Sequence, residues 1–400
     1  MTTHPSPTTI SNGSVAKKNG AFVSEGKHMR IRLIAPAILA ATVLTLGACS
    51  SGSGVESSTA DKDAQSTTQS EAKAEEESSA AEAQERANCE IVPDGTFPVT
   101  IEHALGSTTI EAQPERIATV GWYNHEVPIA LGVVPVGITA FPWGDTDGDG
   151  IMPWVSESLD LLDAPTPVVF DETDGTDFEA IARTEPDVIL ASYSGMSEET
   201  YNTLSKIAPT VAYPDVPWGT SMWDMICMNA KAIGKSTSGE ALAEELVDTA
   251  QAALDQNPEL KDKKILFTLI DPSDTSQVTY YTLHDTRPGF LYELGLPQPE
   301  QVVKATEESS DFFTTISAEQ IDVFDDVDIL VVYGDSEDSM ISVLEGDPLL
   351  SKIPAVQRGN VVVLENNTPL TTSANPSPLS IPWGIDGYFA LLNSTTSSGN

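Results

Sequence analysis

One long amphipathic helix near the middle of the sequence separates two stretches in which short apolar segments alternate with helical patterns. Its apolar residues keep a helical period over about twenty positions. They are Leu242, Leu246, Val247, Ala250, Ala253 and Leu254. Thr237 and Glu240 have the spacing of a capping box at its start. A chain of 400 residues is too long for one small core, so the pattern predicts two domains joined by this helix.

Both flanking stretches predict open α/β sheets. In the first, the strand segments are 116–121, 135–140 and 187–193, and the helical segments are 124–131, 176–183, 197–208 and 221–233. In the second, the strand segments are 264–270, 278–283, 328–333 and 360–364, and the helical segments are 289–294 and 317–324. Strands that alternate with helices pair in parallel through right-handed crossovers.

The fold class that follows is α/β, with two Rossmann-like lobes joined by one long helix and a ligand cleft between the lobes. We expect an N-terminal lobe over 97–236, the bridging helix over 237–258, a C-terminal lobe over 259–393 and a frayed tail over 394–400.

The N-terminal region has the pattern of an exported lipoprotein. Basic residues including Arg30 and Arg32 precede an apolar segment over 33–46, which is the length of a signal-peptide core. The segment ends in Gly47, Ala48 and Cys49, the arrangement in which a peptidase cuts before a lipidated cysteine. We therefore expect 1–48 to be an N-terminal extension with a signal peptide, starting at Met1 or Met29, and Cys49 to be the lipid anchor on the extracytoplasmic face of the cell membrane.

Residues 49–96 are expected to form a flexible tether, because 50–87 is rich in Ser, Ala, Glu, Thr and Gln and contains no aromatic residue. The chain carries 20 basic and 60 acidic residues, a net charge of −40, which disfavours nucleic acid as a partner. Cys89 and Cys227 are the other cysteines. They pair in a disulfide, or Cys227 is a buried apolar side chain and Cys89 is free.

Candidate ligand-binding residues follow from a rule about open α/β sheets, in which ligands bind beyond the carboxyl ends of the strands. The residues that the rule selects, together with an aromatic just before the lobe boundary, are Trp122, Tyr123, Asn124, Trp143, Ser192, Tyr193, Ser194 and Trp218. Aromatic side chains suit a bulky, flat, partly apolar ligand, and core packing is the alternative for each of them.

Arg287 is the candidate polar contact of the second lobe. It lies between a predicted strand and a predicted helix, where its planar guanidinium can donate to two ligand oxygens at once. The alternative is a surface salt bridge to Asp285 or Glu293.

Several segments, in order, resemble the iron-siderophore and cobalamin-type solute-binding proteins of ABC transporters. They are 114–117 (PERI), 130–137 (ALGVVPVG), 179–190 (EAIARTEPDVIL) and 205–211 (SKIAPTV). The resemblance implies a monomeric, membrane-anchored lipoprotein that captures a ferric siderophore, holds iron only as that complex without a permanent cofactor, and delivers it to an ABC permease. It also implies that one exposed acid per lobe docks on the permease, here Glu198 or Glu199 and Glu319.

Other functions are weighed against this one. The sequence contains no G-x-S-x-G elbow, P-loop or H-E-x-x-H motif, so we do not expect an enzyme, although His125 and His284 could serve as bases. A haem- or cobalamin-binding protein of the same fold is the nearer alternative, with Tyr193, Tyr281 or His284 as haem ligands.

A calcium site is a further alternative. Asp145, Asp147, Asp149 and Gly150 resemble the start of an EF-hand loop, but Ser156 stands where the closing acid is needed. An acidic turn at the rim of the cleft, without metal, is therefore expected.

Overall fold

The structure is a computed structural model that describes residues 89–395. The predicted signal peptide, Cys49 and most of the predicted tether lie outside these residues. A hairpin that the sequence patterns did not predict opens the described chain, with β1 (Val99–His103) antiparallel to β2 (Gly106–Ile110). Buried and exposed side chains alternate along β1, as in a strand with one face on a core.

The first lobe contains a five-stranded parallel sheet in the order β5-β4-β3-β6-β7. Its strands are β3 (Ile117–Thr119), β4 (Gly137–Thr139), β5 (Val168–Phe170), β6 (Val188–Leu190) and β7 (Thr210–Val211). The parallel pairing expected for this lobe is confirmed. Each observed strand that was predicted is shorter than the apolar segment that predicted it. β5 and β7 were not predicted.

Five helices flank this sheet: α1 (Glu126–Ala130), α2 (Pro153–Leu161), α3 (Phe178–Arg183), α4 (Glu198–Leu204) and α5 (Met222–Ala232). The hydroxyls of Ser197 and Ser221 cap α4 and α5. The helix predicted over 176–183 begins as α3 at Phe178, where the Asp177 side chain caps it by accepting a hydrogen bond from the Ala180 N–H.

The bridging helix, α6, spans Ser236–Asp255 and has no side-chain cap at its start. The predicted capping box fails because the Thr237 hydroxyl donates to the Val92 carbonyl at 3.2 Å, and the Ser238 hydroxyl donates to Asp94. Residues 92–94 are therefore bound to the start of α6. The tether predicted to extend to residue 96 ends earlier than expected.

The second sheet has the order β10-β9-β8-β11-β12. Its strands are β8 (Ile265–Asp271), β9 (Asp274–Tyr281), β10 (Phe313–Ser317), β11 (Ile329–Gly334) and β12 (Val361–Glu365). β8, β11 and β12 are parallel, but β9 runs antiparallel to both β8 and β10, so the expectation of parallel pairing throughout is wrong. Only Pro272 and Ser273 connect β8 to β9, too few residues for a crossover helix.

The helices of the second half are α7 (Thr286–Glu293), α8 (Glu300–Glu308), α9 (Glu337–Gly346), α10 (Pro354–Gln357), α11 (Pro369–Ser373) and α12 (Ser380–Asn393). Short 3₁₀ helices occupy Pro258–Leu260, Ala318–Phe324 and Leu350–Lys352. The helix predicted over 317–324 is thus a 3₁₀ helix, with Ser317 at its cap. Within residues 89–395, no helix has the length and apolar character needed to cross a membrane.

One apolar core continues from one lobe into the other. It contains Tyr123 and Phe141 from the first lobe, Leu246 from α6, Phe267 from the second lobe and Phe389 from α12. The C-terminal helix α12 therefore does not belong to the second lobe alone, as the domain boundaries predicted from the sequence assumed.

A buried carboxylate joins α1 to the start of α12. Glu126 is fully buried, and its oxygens accept hydrogen bonds from Trp154 Nε1 at 2.7 Å and from the Leu379 N–H at 2.9 Å. Because α12 lacks a side-chain cap of its own, Glu126 satisfies a free N–H group of that helix from the other lobe. Burial raises the pKa of Glu126 to about 7, although these hydrogen bonds act to lower it.

The sulfur atoms of Cys89 and Cys227 are bonded, with their Cα atoms 6.1 Å apart. Both residues are buried in the core beneath the β1–β2 hairpin, together with Val99 and Met228. The bond attaches the start of the described chain to α5 and closes a sequence separation of 138 residues. A loop of that length restricts the unfolded chain strongly.

Replacing Glu126 with Gln should change how the free energy of unfolding depends on pH. The folded-state pKa of about 7 lies above the ordinary value of 4.5, so the folded protein binds more protons than the unfolded chain between these values. Stability therefore falls as pH rises through that window. The fall should be smaller by about 3 kcal/mol in Glu126→Gln, as measured by denaturant unfolding at a series of pH values. Glu198→Gln, at an exposed position, is the control, and equal pH slopes for Glu126→Gln and wild type would contradict this assignment.

Candidate ligand-binding site

A cavity of about 430 Å³ lies where the carboxyl ends of the two sheets face each other. The first lobe contributes Trp122, Trp143, Tyr193 and Trp218. The second half contributes Leu269, Tyr281, Asp285, Arg287, Phe312, Tyr333, Asn366 and Asn375. Seven of these twelve residues are aromatic. The cavity therefore has the size and the largely apolar wall of a small-molecule site.

The aromatic side chains of the first lobe support one another. The Trp122 and Trp218 rings meet edge to face at 5.6 Å, and Trp218 meets Tyr193 in the same way at 5.8 Å. Trp218 has a left-handed backbone with φ +63°, which is rare for a bulky residue and is held by a hydrogen bond from its N–H to the Ser194 carbonyl. Gly195 leaves room for the indole, because a Cβ at residue 195 would lie 2.0 Å from Trp218 Nε1.

Contacts between the lobes are made at the cavity itself. The rings of Trp143 and Tyr333, one from each lobe, are 5.8 Å apart. The Thr372 hydroxyl donates to the Trp143 carbonyl at 3.2 Å. These contacts hold the loop after β4 against α11 at the edge of the cavity.

Arg287 lines the cavity and is also paired with Asp285. The pair is buried rather than at the surface, and the ligand contact of Arg287 stays a prediction. Its Nε and Nη2 donate to the two Asp285 oxygens at 2.7 Å each, and its Nη1 donates to the Tyr333 hydroxyl at 2.9 Å. The guanidinium carbon lies 3.7 Å from the centre of the Tyr281 ring. Burial acts to lower the pKa of Arg287, but the Asp285 charge raises it overall, so the guanidinium stays charged.

Two tyrosine hydroxyls in the wall stay protonated at neutral pH. Burial raises the pKa of Tyr333 to about 12, although the neighbouring Arg287 acts to lower it. Burial also raises the pKa of Tyr193, whose hydroxyl accepts a hydrogen bond from Asn375 Nδ2 at 3.3 Å. The wall therefore presents neutral hydroxyls rather than phenolates.

Four of the predicted ligand-binding residues are buried behind the cavity and do not line it: Tyr123, Asn124, Ser192 and Ser194. Asn124 shows the reason, because its Nδ2 donates to the Val120 carbonyl at 2.8 Å and its Oδ1 accepts from the Tyr193 N–H at 3.1 Å. Short polar side chains after a strand satisfy the backbone groups that the ending sheet leaves free. The strand-end rule thus selected the edge of the sheets at which the cavity lies, without giving the direction of each side chain.

The cavity also contains residues that were not among the predicted siderophore contacts, although Tyr281 was considered as a haem ligand. Tyr333 lies within the predicted strand 328–333, at its end, and Tyr281 lies near the end of 278–283, so the same strand-end rule applied to the second lobe would have selected them. Phe312 precedes a strand that was not predicted, and Asn375 lies between α11 and α12. No sequence pattern distinguishes these two from ordinary loop residues.

The other candidate residues lie outside the cavity wall. His284 Nε2 is 3.0 Å from the Ser309 carbonyl, and burial lowers the pKa of His125 to about 4. Burial acts to raise the pKa of the Asp145 carboxyl, but hydrogen bonds from the Gly148 N–H at 2.8 Å and the Gly150 N–H at 2.7 Å lower this pKa overall.

The three acidic side chains predicted to dock on the permease are exposed. Glu198 and Glu199 lie in the first turn of α4, and Glu319 lies in the first turn of the 3₁₀ helix Ala318–Phe324.

Comparison with known proteins identifies the family. The sequence profile of the periplasmic binding protein family matches residues 117–368. The chain belongs to this family. The expected two-lobed, helix-bridged fold of a solute-binding protein is confirmed by the structure of Streptococcus pneumoniae PiaA in complex with ferrichrome. That structure is 41% identical, has a TM-score of 0.71 and covers 76% of this chain and 100% of its own.

Curated relatives are binding proteins. The chain is 30% identical over 239 residues to the probable siderophore-binding lipoprotein YfiY of Bacillus subtilis, covering 58% of this chain and 67% of the relative. It is 25% identical over 283 residues to the Fe(3+) dicitrate-binding periplasmic protein FecB of Escherichia coli, covering 70% and 86%.

Substituting Gly195 with Ala should weaken ligand binding without unfolding the protein. The added Cβ displaces the Trp218 indole, so we expect the affinity for a ferric siderophore to fall at least about tenfold, by titration of tryptophan fluorescence. Gly346→Ala is the matched control, because a Cβ there has no neighbour within 4 Å. Equal affinities for the two variants would show that Trp218 is not placed by this contact.

Proposed function

We propose that this protein captures a ferric siderophore outside the cytoplasmic membrane and delivers it to an ABC importer. The observation that carries the proposal is the cavity between the lobes, with its seven aromatic residues and one guanidinium. Membership of the periplasmic binding protein family supports it, as does the 41% identity to a protein whose structure contains ferrichrome.

The chemistry of the wall suits such a complex. A ferric siderophore presents a wide, partly apolar surface with oxygens around the iron, and the iron is already fully ligated. Trp122, Trp143 and Trp218 offer flat contact area, while Arg287 and the tyrosine hydroxyls offer hydrogen bonds to the oxygens. The protein therefore does not need to supply a ligand to the metal, and the iron is cargo rather than cofactor.

Haem is the alternative ligand, and the site supports it less well. Axial ligation needs a free tyrosine oxygen or histidine nitrogen. The Tyr193 hydroxyl is bonded to Asn375, and His284 Nε2 faces backbone carbonyls outside the cavity wall. Tyr281 lines the cavity, and the Arg287 guanidinium lies over its ring face without engaging its hydroxyl, so Tyr281 is the ligand that a haem titration would test.

Membrane attachment and delivery complete the proposal. Lipidation of Cys49 would keep a monomeric body near the membrane, and the segment from 50 to 88 would let it reorient. Glu198 or Glu199 on one lobe and Glu319 on the other are exposed acids that would dock on basic residues of a permease.

Ferrichrome should quench the tryptophan fluorescence of the mature protein, because three tryptophans line the cavity. The quenching should saturate, with a dissociation constant of about 1 μM or lower. Iron-free ferrichrome is the control, and haem and cobalamin are titrated alongside. A Soret band on adding haem, without a response to any ferric siderophore, would overturn the proposal in favour of haem binding.

Cys49→Ala should release the protein from the membrane or leave it uncut. A thiol is needed for acylation, and a tethered protein without acyl chains has nothing to hold it in the bilayer. Membrane fractionation and the mass of the mature protein measure this, with Ser53→Ala, a nearby change that keeps the Cys49 thiol, as the control variant. A processed Cys49→Ala protein that still sediments with the membrane would contradict lipidation at this residue.

A further inference from the structure

The charge of the cavity wall is balanced within the site. Among the described residues that line it, Arg287 is the only basic side chain and Asp285 the only acidic one. They are joined by two hydrogen bonds of 2.7 Å in a bidentate pair. The exposed fraction is 11% for the Arg287 side chain and 2% for that of Asp285, so water screens the pair weakly. The wall therefore carries a cation whose charge is already neutralised.

The local fold fixes this pair. Asp285 is the N-cap of α7, and its side chain accepts the backbone N–H of Arg287 as well as the guanidinium. Tyr333 and Tyr281 hold the rest of the guanidinium, by a hydrogen bond and by a ring face respectively. A ligand cannot draw Arg287 away from Asp285 without leaving a carboxylate buried and unpaired, which is strongly unfavourable.

We propose that Asp285 is a specificity-determining residue that makes the site select uncharged ferric hydroxamate complexes over anionic ferric catecholate or citrate complexes. This inference rests on the proposed function, since it concerns which ferric siderophores the same cavity accepts. Three hydroxamates cancel the charge of ferric iron, whereas three catecholates leave a trianion, and citrate complexes are also anionic.

An uncharged complex fits the pair as it stands. Three of the five guanidinium N–H groups are engaged by Asp285 and Tyr333, so two remain to donate to hydroxamate oxygens. An anionic complex meets no unpaired positive charge in the cavity wall, and it lies beside the Asp285 carboxylate. The net charge of −40 on the whole chain adds a long-range repulsion of the same sign.

The test compares ferrichrome with ferric dicitrate by fluorescence titration of wild type and Asp285→Asn. Asn keeps the helix cap while removing the charge. Wild type should bind ferrichrome at least about a hundredfold more tightly than ferric dicitrate, and Asp285→Asn should reduce this ratio at least about tenfold. Asp285→Ser, which also caps, repeats the measurement should the Asn variant not fold by circular dichroism.

Two further variants make the result specific. Asp326 forms a 2.7 Å ion pair with Lys264, which precedes the first residue of β8 and so lies at the opposite end of that strand from the cavity. Asp326→Asn therefore removes the same charge away from the site, and should leave the ratio of the two affinities unchanged. The double variant Asp285→Asn with Arg287→Met should not show the increased relative affinity for ferric dicitrate that we expect of Asp285→Asn alone, because no guanidinium remains to attract the anion.

Equal shifts in Asp285→Asn and Asp326→Asn would overturn the role of Asp285 and assign selectivity to total charge. A wild type that binds ferric dicitrate as tightly as ferrichrome would also overturn it, while leaving the proposed function intact. If wild type binds none of ferrichrome, ferric dicitrate and a ferric catecholate, the proposed function itself is wrong.

Discussion

The continuous core through α6 and α12 is the constraint on which the site depends. Two α/β lobes with separate cores would meet only through surface contacts, and their relative position would vary. Here Leu246 of the bridging helix and Phe389 of the last helix are buried in the same core as residues of both sheets. A close-packed core is hardly compressible, so it holds the facing edges of the two sheets at a set distance.

Polar contacts across the same boundary give the core its register. Glu126 of α1 accepts the Leu379 N–H at the start of α12, and the Thr372 hydroxyl donates to the Trp143 carbonyl in the loop after β4. A buried hydrogen bond contributes modestly to stability but is costly to leave unmade. These groups therefore favour the arrangement of the lobes in which the two halves of the cavity wall face each other.

The alternation of apolar and helical segments was sufficient to predict the two-lobed architecture, because a parallel strand must be followed by a crossover. It failed at β9, where two intervening residues allow only a hairpin, and that short connection is visible in the sequence. It failed also for α12, whose destination depends on a partner 253 residues away in Glu126. Local patterns report which face of an element is apolar, not which distant surface covers that face.

The same limit explains the outcome at Arg287. From the sequence, a salt bridge and a ligand contact are competing interpretations of Arg287, because the first places the guanidinium at the surface and the second places it in the cleft. The structure places Asp285 at a helix cap that faces the cavity, so the pair is both buried and part of the wall. A neutralised guanidinium keeps its donors while losing its net attraction for anions. On the proposed function, Asp285 would therefore both hold Arg287 in place and set the charge that the site presents to its ligand.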